Sequence, residues 1–269
     1  MARRQVMALA ASPMPGARVF AASARWSRER VVAANLSSPV GMAIDVTGRL
    51  LVANWSAGTV TRIASNGSAT NIATGLSGPS GIALAANGDL YVASYNEDLI
   101  WRILPSGSKE VFVRGLGTPA GLAWDLQGRL LIANRQTQQI LAADPTGRLT
   151  VAVQGELQTP VGAMQMPDGG YFVSNIDGGV AYAGLDGRAR TVSREFVRPG
   201  AGIAAADEAS VFVVDYGGTE VKQVDRHGRT RVVADGFTSP VGLVVANRAT
   251  AIVADWGTNM AYGLRMTAA

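Results

Sequence analysis

The chain has no cysteine, a single histidine and only two lysines. Without cysteine there is no disulfide frame and no thiol nucleophile or thiolate metal ligand. The lone histidine, His227, sits in an Arg226-His227-Gly228 turn, where it reads as an exposed turn residue. Charged residues are scarce at 16%, and the 22 arginines beside Lys109 and Lys222 are scattered along the chain. A nucleic-acid-binding surface needs a concentrated basic face, which this scatter does not provide. The arginine bias, with abundant alanine, is the composition of a GC-rich bacterial genome. No stretch approaches the ~18 apolar residues of a membrane span. Val6 to Ala11 is apolar but short, and Pro13 and Pro15 follow it. A secretory signal has a longer core. The cytoplasm is therefore the expected location, with secretion the lesser alternative. No run of ten or more residues shows helical spacing, which excludes a helical solenoid.

What is present is a repeat. A large apolar residue, two further residues and a proline recur as Leu36-x-x-Pro39, Leu76-x-x-Pro79, Leu116-x-x-Pro119, Leu157-x-x-Pro160, Phe196-x-x-Pro199 and Phe237-x-x-Pro240. The prolines are 40, 40, 41, 39 and 41 residues apart. Glycine follows at Gly41, Gly81, Gly121, Gly162 and Gly242, and at Gly202 in the fifth copy, which carries one extra residue. Between these marks each copy reads as four short apolar, β-branched runs separated by Asn-Gly, Asp-Gly or Ser-Gly, the chemistry of hairpins. Four strands in about 40 residues make one propeller blade. The expected fold is all-β: a six-bladed β-propeller with four-stranded antiparallel blades. The last copy runs out after its third strand. Arg28 to Leu36 matches the fourth strands elsewhere, so this N-terminal strand is expected to close the ring. The propeller is placed at residues 28–269. Residues 1–27 form an extension in which Arg4 to Ala11 and Arg18 to Ala24 look strand-like, two strands more than six blades need.

Pro-x-Gly-Ile-Ala followed by Asn87-Gly88-Asp89-Leu90-Tyr91-Val92-Ala93 resembles the NHL repeat, over roughly residues 28–266. The resemblance implies a six-bladed propeller. It brings in the related gluconolactonase, paraoxonase, strictosidine synthase and virginiamycin B lyase families without choosing among them. In the calcium-dependent families, Asn and Asp at Pro-x-Gly positions help to hold the ion. Here those positions are Val40, Ser80, Ala120, Val161, Ala201 and Val241, with no carboxylate or amide. The lyase resemblance implies a histidine at such a position, and none is there. The strictosidine synthase resemblance needs no metal, but the ring positions hold no glutamate to carry over. No metal or other cofactor is expected.

The starts of first strands and the ends of second strands share one face. On it, Asn54, Ser94, Asn134, Asn175, Asp215 and Asp255 form a ring, with Trp55, Tyr95, Arg135, Ile176, Tyr216 and Trp256 just outside. One role for the ring is bonding backbone amides in the following turn. Another is chemistry: two neighbouring carboxylates, Asp215 and Asp255, are candidate catalytic residues, since like charges in proximity push one pKa up. Asn54, Trp55, Tyr95, Asn134, Asn175, Tyr216 and Trp256 are candidate ligand contacts, above a floor of Val40 and Val241. The sequence leaves two functions standing. One is a propeller, expected as a monomer, that binds a small molecule or a protein partner on this face. The other is a metal-independent lyase, hydrolase or cyclase using Asp215 and Asp255.

Overall fold

The computed structural model describes residues 25–267, and the strand-like stretches at 4–11 and 18–24 lie outside them. Among the described residues there are strands and turns but no helix. β1 (Arg25–Ala33) comes first. Unit 1 is β2 (Pro39–Ile44), β3 (Leu50–Asn54), β4 (Thr59–Ile63) and β5 (Ala69–Ala73). Unit 2 is β6 (Pro79–Leu84), β7 (Leu90–Ser94), β8 (Leu99–Ile103) and β9 (Lys109–Val113). Unit 3 is β10 (Pro119–Trp124), β11 (Leu130–Asn134), β12 (Gln139–Ala143) and β13 (Leu149–Gly155). Unit 4 is β14 (Pro160–Gln165), β15 (Tyr171–Asn175), β16 (Gly179–Ala183) and β17 (Arg188–Ser193). Unit 5 is β18 (Pro199–Ala205), β19 (Ser210–Asp215), β20 (Val221–Asp225) and β21 (Thr230–Ala234). Unit 6 supplies β22 (Pro240–Asn247), β23 (Thr250–Asp255) and β24 (Met260–Thr267).

Each unit is an antiparallel meander. Turn residues set the hairpins: Gly48 turns back at φ 78°, a left-handed value that glycine adopts without strain. Beside it, the Asp45 carboxylate accepts the Thr47 and Arg49 amides and pairs with the Arg49 guanidinium. Second strands such as β3, β7, β11 and β15 are buried at every position, so they read as continuous apolar runs. Fourth strands such as β5 are largely exposed. The core lies between units: Leu51, Ala53 and Val60 of unit 1 pack on Ile82 and Val92 of unit 2.

The first strands form a closed circuit at the centre. A side chain at Gly41 would strike the Ser80 carbonyl, one at Gly81 that of Ala120, and one at Gly121 that of Val161. Gly162 meets Ala201, Gly202 meets Leu243, and Gly242 returns to Val40. Only glycine allows strands to approach this closely. This is a propeller-like, all-β arrangement. Hydrogen bonding divides it into four sheets of four strands and one of eight. The eight-stranded sheet joins units 3 and 4 through a parallel pairing of Gln154 and Gly155 on β13 with Arg188 and Ala189 on β17.

β1 pairs antiparallel with β24 and completes a sheet with β22 and β23. The Leu36 amide donates to Asn259 of unit 6, just as Leu76 donates to Gly58 and Leu116 to Asp98. The pairing already includes Arg25, Trp26 and Ser27, upstream of Arg28. The reason is Trp26, which is buried against Phe212 with ring centroids 4.4 Å apart, in a cluster with Val214, Val221 and Leu264. The repeated phrase gave no sign of this anchor, because it lies ten residues upstream of Leu36.

Candidate functional site

Each second strand ends on the face where the first strands begin, and the two are sewn together there. The Trp55 amide donates to the Ser38 carbonyl, Tyr95 to Gly78, Ile176 to Thr159 and Trp256 to Ser239. The ring side chains add a second stitch. Asn54 Oδ1 accepts the Ser37 amide at 3.1 Å, Asn134 the Gly117 amide at 2.7 Å and Asn175 the Gln158 amide at 3.2 Å. Asp215 accepts both the Val197 and Arg198 amides, at 3.0 and 2.9 Å. Asp255 accepts Thr238 and Ser239, at 2.8 and 2.9 Å, and also Gly257 at 3.0 Å.

The donors are thus mainly in the loop before the proline rather than in the following turn, with Gly257 as the exception. In unit 2, the Ser94 hydroxyl donates to the Glu97 carboxylate, and the Ser77 carbonyl lies 3.0 Å from the same oxygen. The Ser94 hydroxyl is the main reason that the Glu97 carboxyl lies below its ordinary range; burial opposes it, while the Trp101 indole and the Ser77 amide assist. Glu97 therefore takes over the acceptor role that Asn or Asp plays elsewhere, a substitution three residues away that ring-position counting does not detect.

Asp215 and Asp255 are 0% exposed. Asp215 also binds the Lys222 ammonium at 2.9 Å. Burial pulls the Lys222 pKa down, but Asp215 and Glu220 outweigh it and the net shift is upward. These oxygens are committed to backbone amides and an ammonium group inside the fold. Such placement makes the two carboxylates anchors of the loops before Pro199 and Pro240.

Outside the ring, the structure gathers several of the expected contacts. Trp55 packs 4.8 Å from Tyr95 and 6.1 Å from Trp256, both tilted. Arg135 extends the arc: its Nη1 donates to the Tyr95 hydroxyl at 2.9 Å and its guanidinium lies 5.2 Å from the Tyr95 ring centre. Arg135 Nε is buried without a partner. Trp55, Tyr95, Arg135, Ile176, Tyr216 and Trp256 are all half-buried. No ring contact ties Tyr216 to the arc among the described residues.

Two cavities meet these elements. One, of about 440 Å³, is the central channel between the first strands. Val40, Met42, Ile82, Leu122, Met164, Ile203 and Leu243 line it with glycines, and no polar side chain enters. Val40 belongs to its wall, whereas Val241 is buried beside it. The other, of about 420 Å³, opens on the ring face between Ile176–Gly179 and Arg194–Arg198. It lies at units 4 and 5; of the six residues just outside the ring, Ile176 lines it. Among the described residues no three His, Cys, Asp or Glu side chains converge as a metal cluster.

No family model matches the chain, and no curated protein matches its sequence. Solved structures match its fold. A gluconolactonase from Xanthomonas campestris superposes with a TM-score of 0.77 at 15% identity, over 91% of each chain. A PQQ-bound aldose sugar dehydrogenase from Streptomyces coelicolor gives 0.72 at 18% identity, over 91% of this chain and 99% of that one. A streptogramin B lyase gives 0.69 at 15% identity, over 90% and 98%. The chain shares the propeller fold of these enzymes.

Proposed function

We propose that the chain is a six-bladed, NHL-type propeller that binds a small molecule on the face carrying the ring of second-strand ends. The closed circuit of six glycine contacts supports the blade count, with the eight-stranded sheet read as two blades joined by a short parallel bridge. The observation that carries the binding reading is the half-buried arc of Trp256, Trp55, Tyr95 and Arg135, on the same face as the 420 Å³ cavity. Aromatic surface with a few placed polar groups is the usual composition of a ligand site. The metal-independent lyase, hydrolase or cyclase alternative draws no support from Asp215 and Asp255, whose oxygens are already bonded. The enzymes of the same fold lend it only the scaffold.

The test is a small-molecule panel read by two-dimensional NMR, followed by titration of the hits on wild-type, Trp55→Ala and Trp256→Ala proteins. Shifts at the arc with binding weakened several-fold in the variants, or shifts in the cavity at units 4 and 5, are expected. Hits whose shifts cluster at Met42 and Val245 in the channel would place the site elsewhere.

A further inference from the structure

Units 4 and 5 depart from the repeat at two places, and both border the same cavity. In units 1, 2, 3 and 6, the ring residue pairs with a residue five positions later, as Asn54 does with Thr59 and Asp255 with Met260. In unit 4, Asn175 pairs with Gly179, so the turn is one residue shorter. Two glycines complete it. A side chain at Gly178 would strike Gln158, and Gly179 turns at φ 82° against the Ser193 carbonyl.

The second departure faces this short turn. The residue before the proline is Ser38, Gly78, Thr118, Thr159 and Ser239 in five units, but Arg198 in unit 5. The residue before that is Val197, which is 68% exposed, where the other units carry Ser37, Ser77, Gly117, Gln158 and Thr238. Gly217 makes room, since a side chain there would strike Arg198 and Val197.

The shortened turn opens the space and the altered loop furnishes it. Ile176, Phe196 and Val197 give apolar walls. Arg198 reaches Asp177 at 3.3 Å, and Asp177 is also held by the Thr159 hydroxyl. Arg194 is exposed and has no ion-pair partner among the described residues. Two guanidinium groups against one carboxylate leave the lining one charge positive.

Resting on the reading of this face as the ligand-binding one, we infer that the cavity between units 4 and 5 takes a small organic carboxylate with an apolar body. Arg194 and Arg198 hold the carboxylate, and guanidinium presents the paired donors that carboxylate geometry matches. The apolar body lies against Phe196, Val197 and Ile176, where each buried methylene adds hydrophobic stabilisation.

The probes are 3-phenylpropionate and its neutral counterpart 3-phenylpropanamide, titrated by calorimetry and by NMR on the full chain. Arg194→Ala tests the anion site without disturbing a contact of the fold, and Arg198→Ala tests the second donor. The carboxylate is expected to bind in the millimolar range or tighter, with the amide roughly tenfold weaker. Each arginine variant is expected to weaken the carboxylate by roughly tenfold, Arg194→Ala with its melting temperature unchanged. Added salt is expected to weaken binding. Equal binding of acid and amide overturns the inference, as does the absence of saturable binding by the acid. Shifts confined to the Trp55 and Trp256 indoles, with both arginine variants binding as wild type, overturn it while leaving the reading of the face intact. Shifts confined to Met42 and Val245 end both.

Discussion

Units 5 and 6 fasten the face with a carboxylate, whereas units 1, 3 and 4 fasten it with an amide. The carboxylate collects two consecutive amides before the proline, Val197 and Arg198 in one unit and Thr238 and Ser239 in the other. The amide oxygen collects one. The uncollected amide then turns elsewhere. The residue before the proline adopts a left-handed φ of 53° at Ser38, 49° at Thr118 and 57° at Thr159, but not at Arg198 or Ser239. Ser38 donates to Asn259 and Thr118 to Asp98, each on the preceding unit. One atom of difference at the ring thus goes with the fate of the amide before the proline: the carboxylate units keep it within the unit, and amide units 1 and 3 give it to the unit before them, units 6 and 2.

Removing a carboxylate should break the comparison most severely. Asp215→Ala leaves two loop amides without an acceptor in a closed site and Lys222 with only Glu220 and the Glu195 carbonyl, and is expected to cost roughly 3–5 kcal/mol in denaturant unfolding. An equal loss in Asp215→Ala and in an Asp215→Ala, Lys222→Met double variant would show that the half-paired ammonium contributes nothing. Asp255→Asn converts one kind of unit towards the other. The new NH2 group replaces one of the two acceptor oxygens, so either the Thr238 amide or the Ser239 and Gly257 amides face a donor, and a loss of roughly 1–3 kcal/mol is expected. A variant as stable as wild type would mean that the double bond to the loop is dispensable. The smallest effect is expected from a carboxylate at the opposite end of the strands. Burial pushes the Asp45 pKa up, but the Thr47 hydroxyl, the Arg49 amide and guanidinium and the Thr47 amide together hold it at about 2, against 3.8 for the free side chain. A depressed carboxylate stabilises the fold above its unfolded pKa. That contribution should fade as pH falls from about 4 through about 2. Acid unfolding curves of wild type and Asp45→Asn should therefore converge across that window, and curves that stay parallel would remove Asp45 from the account.

The sequence carried the architecture because the repeat states it many times over. Leu36-x-x-Pro39 and its counterparts marked each inner strand, and the match of Arg28 to Leu36 with other fourth strands led to the pairing of β1 with β24. Trp26 was not legible, because nothing repeats it. The chemistry of the ring was only half legible. Residue type marked Asp215 and Asp255 as unusual. The amides they accept lie 16 to 18 residues earlier in the chain, and a bond across a folded strand pair has no local pattern. The cavity at units 4 and 5 did leave traces: the 39-residue proline spacing, and Val197-Arg198 where the other units carry small or polar residues before the proline. Only folding shows that the short turn and the altered loop adjoin one opening.

The pairing of β1 with β24 also dictates an order of events. Ala33 faces Ala261, so the join unites stretches from opposite ends of the described chain. Every other unit is stitched from strands that follow one another, and such local pairings form early. Until β24 has been synthesised, β1 has no partner and the arc of units 1 to 5 has open ends, with strand edges exposed to any passing chain. The equilibrium cost of so distant a join is modest, because loop-closure entropy rises only with the logarithm of length. Its consequence is temporal: completion of the ring is the last step of assembly, and the nascent chain must stay unassociated until that step is reached.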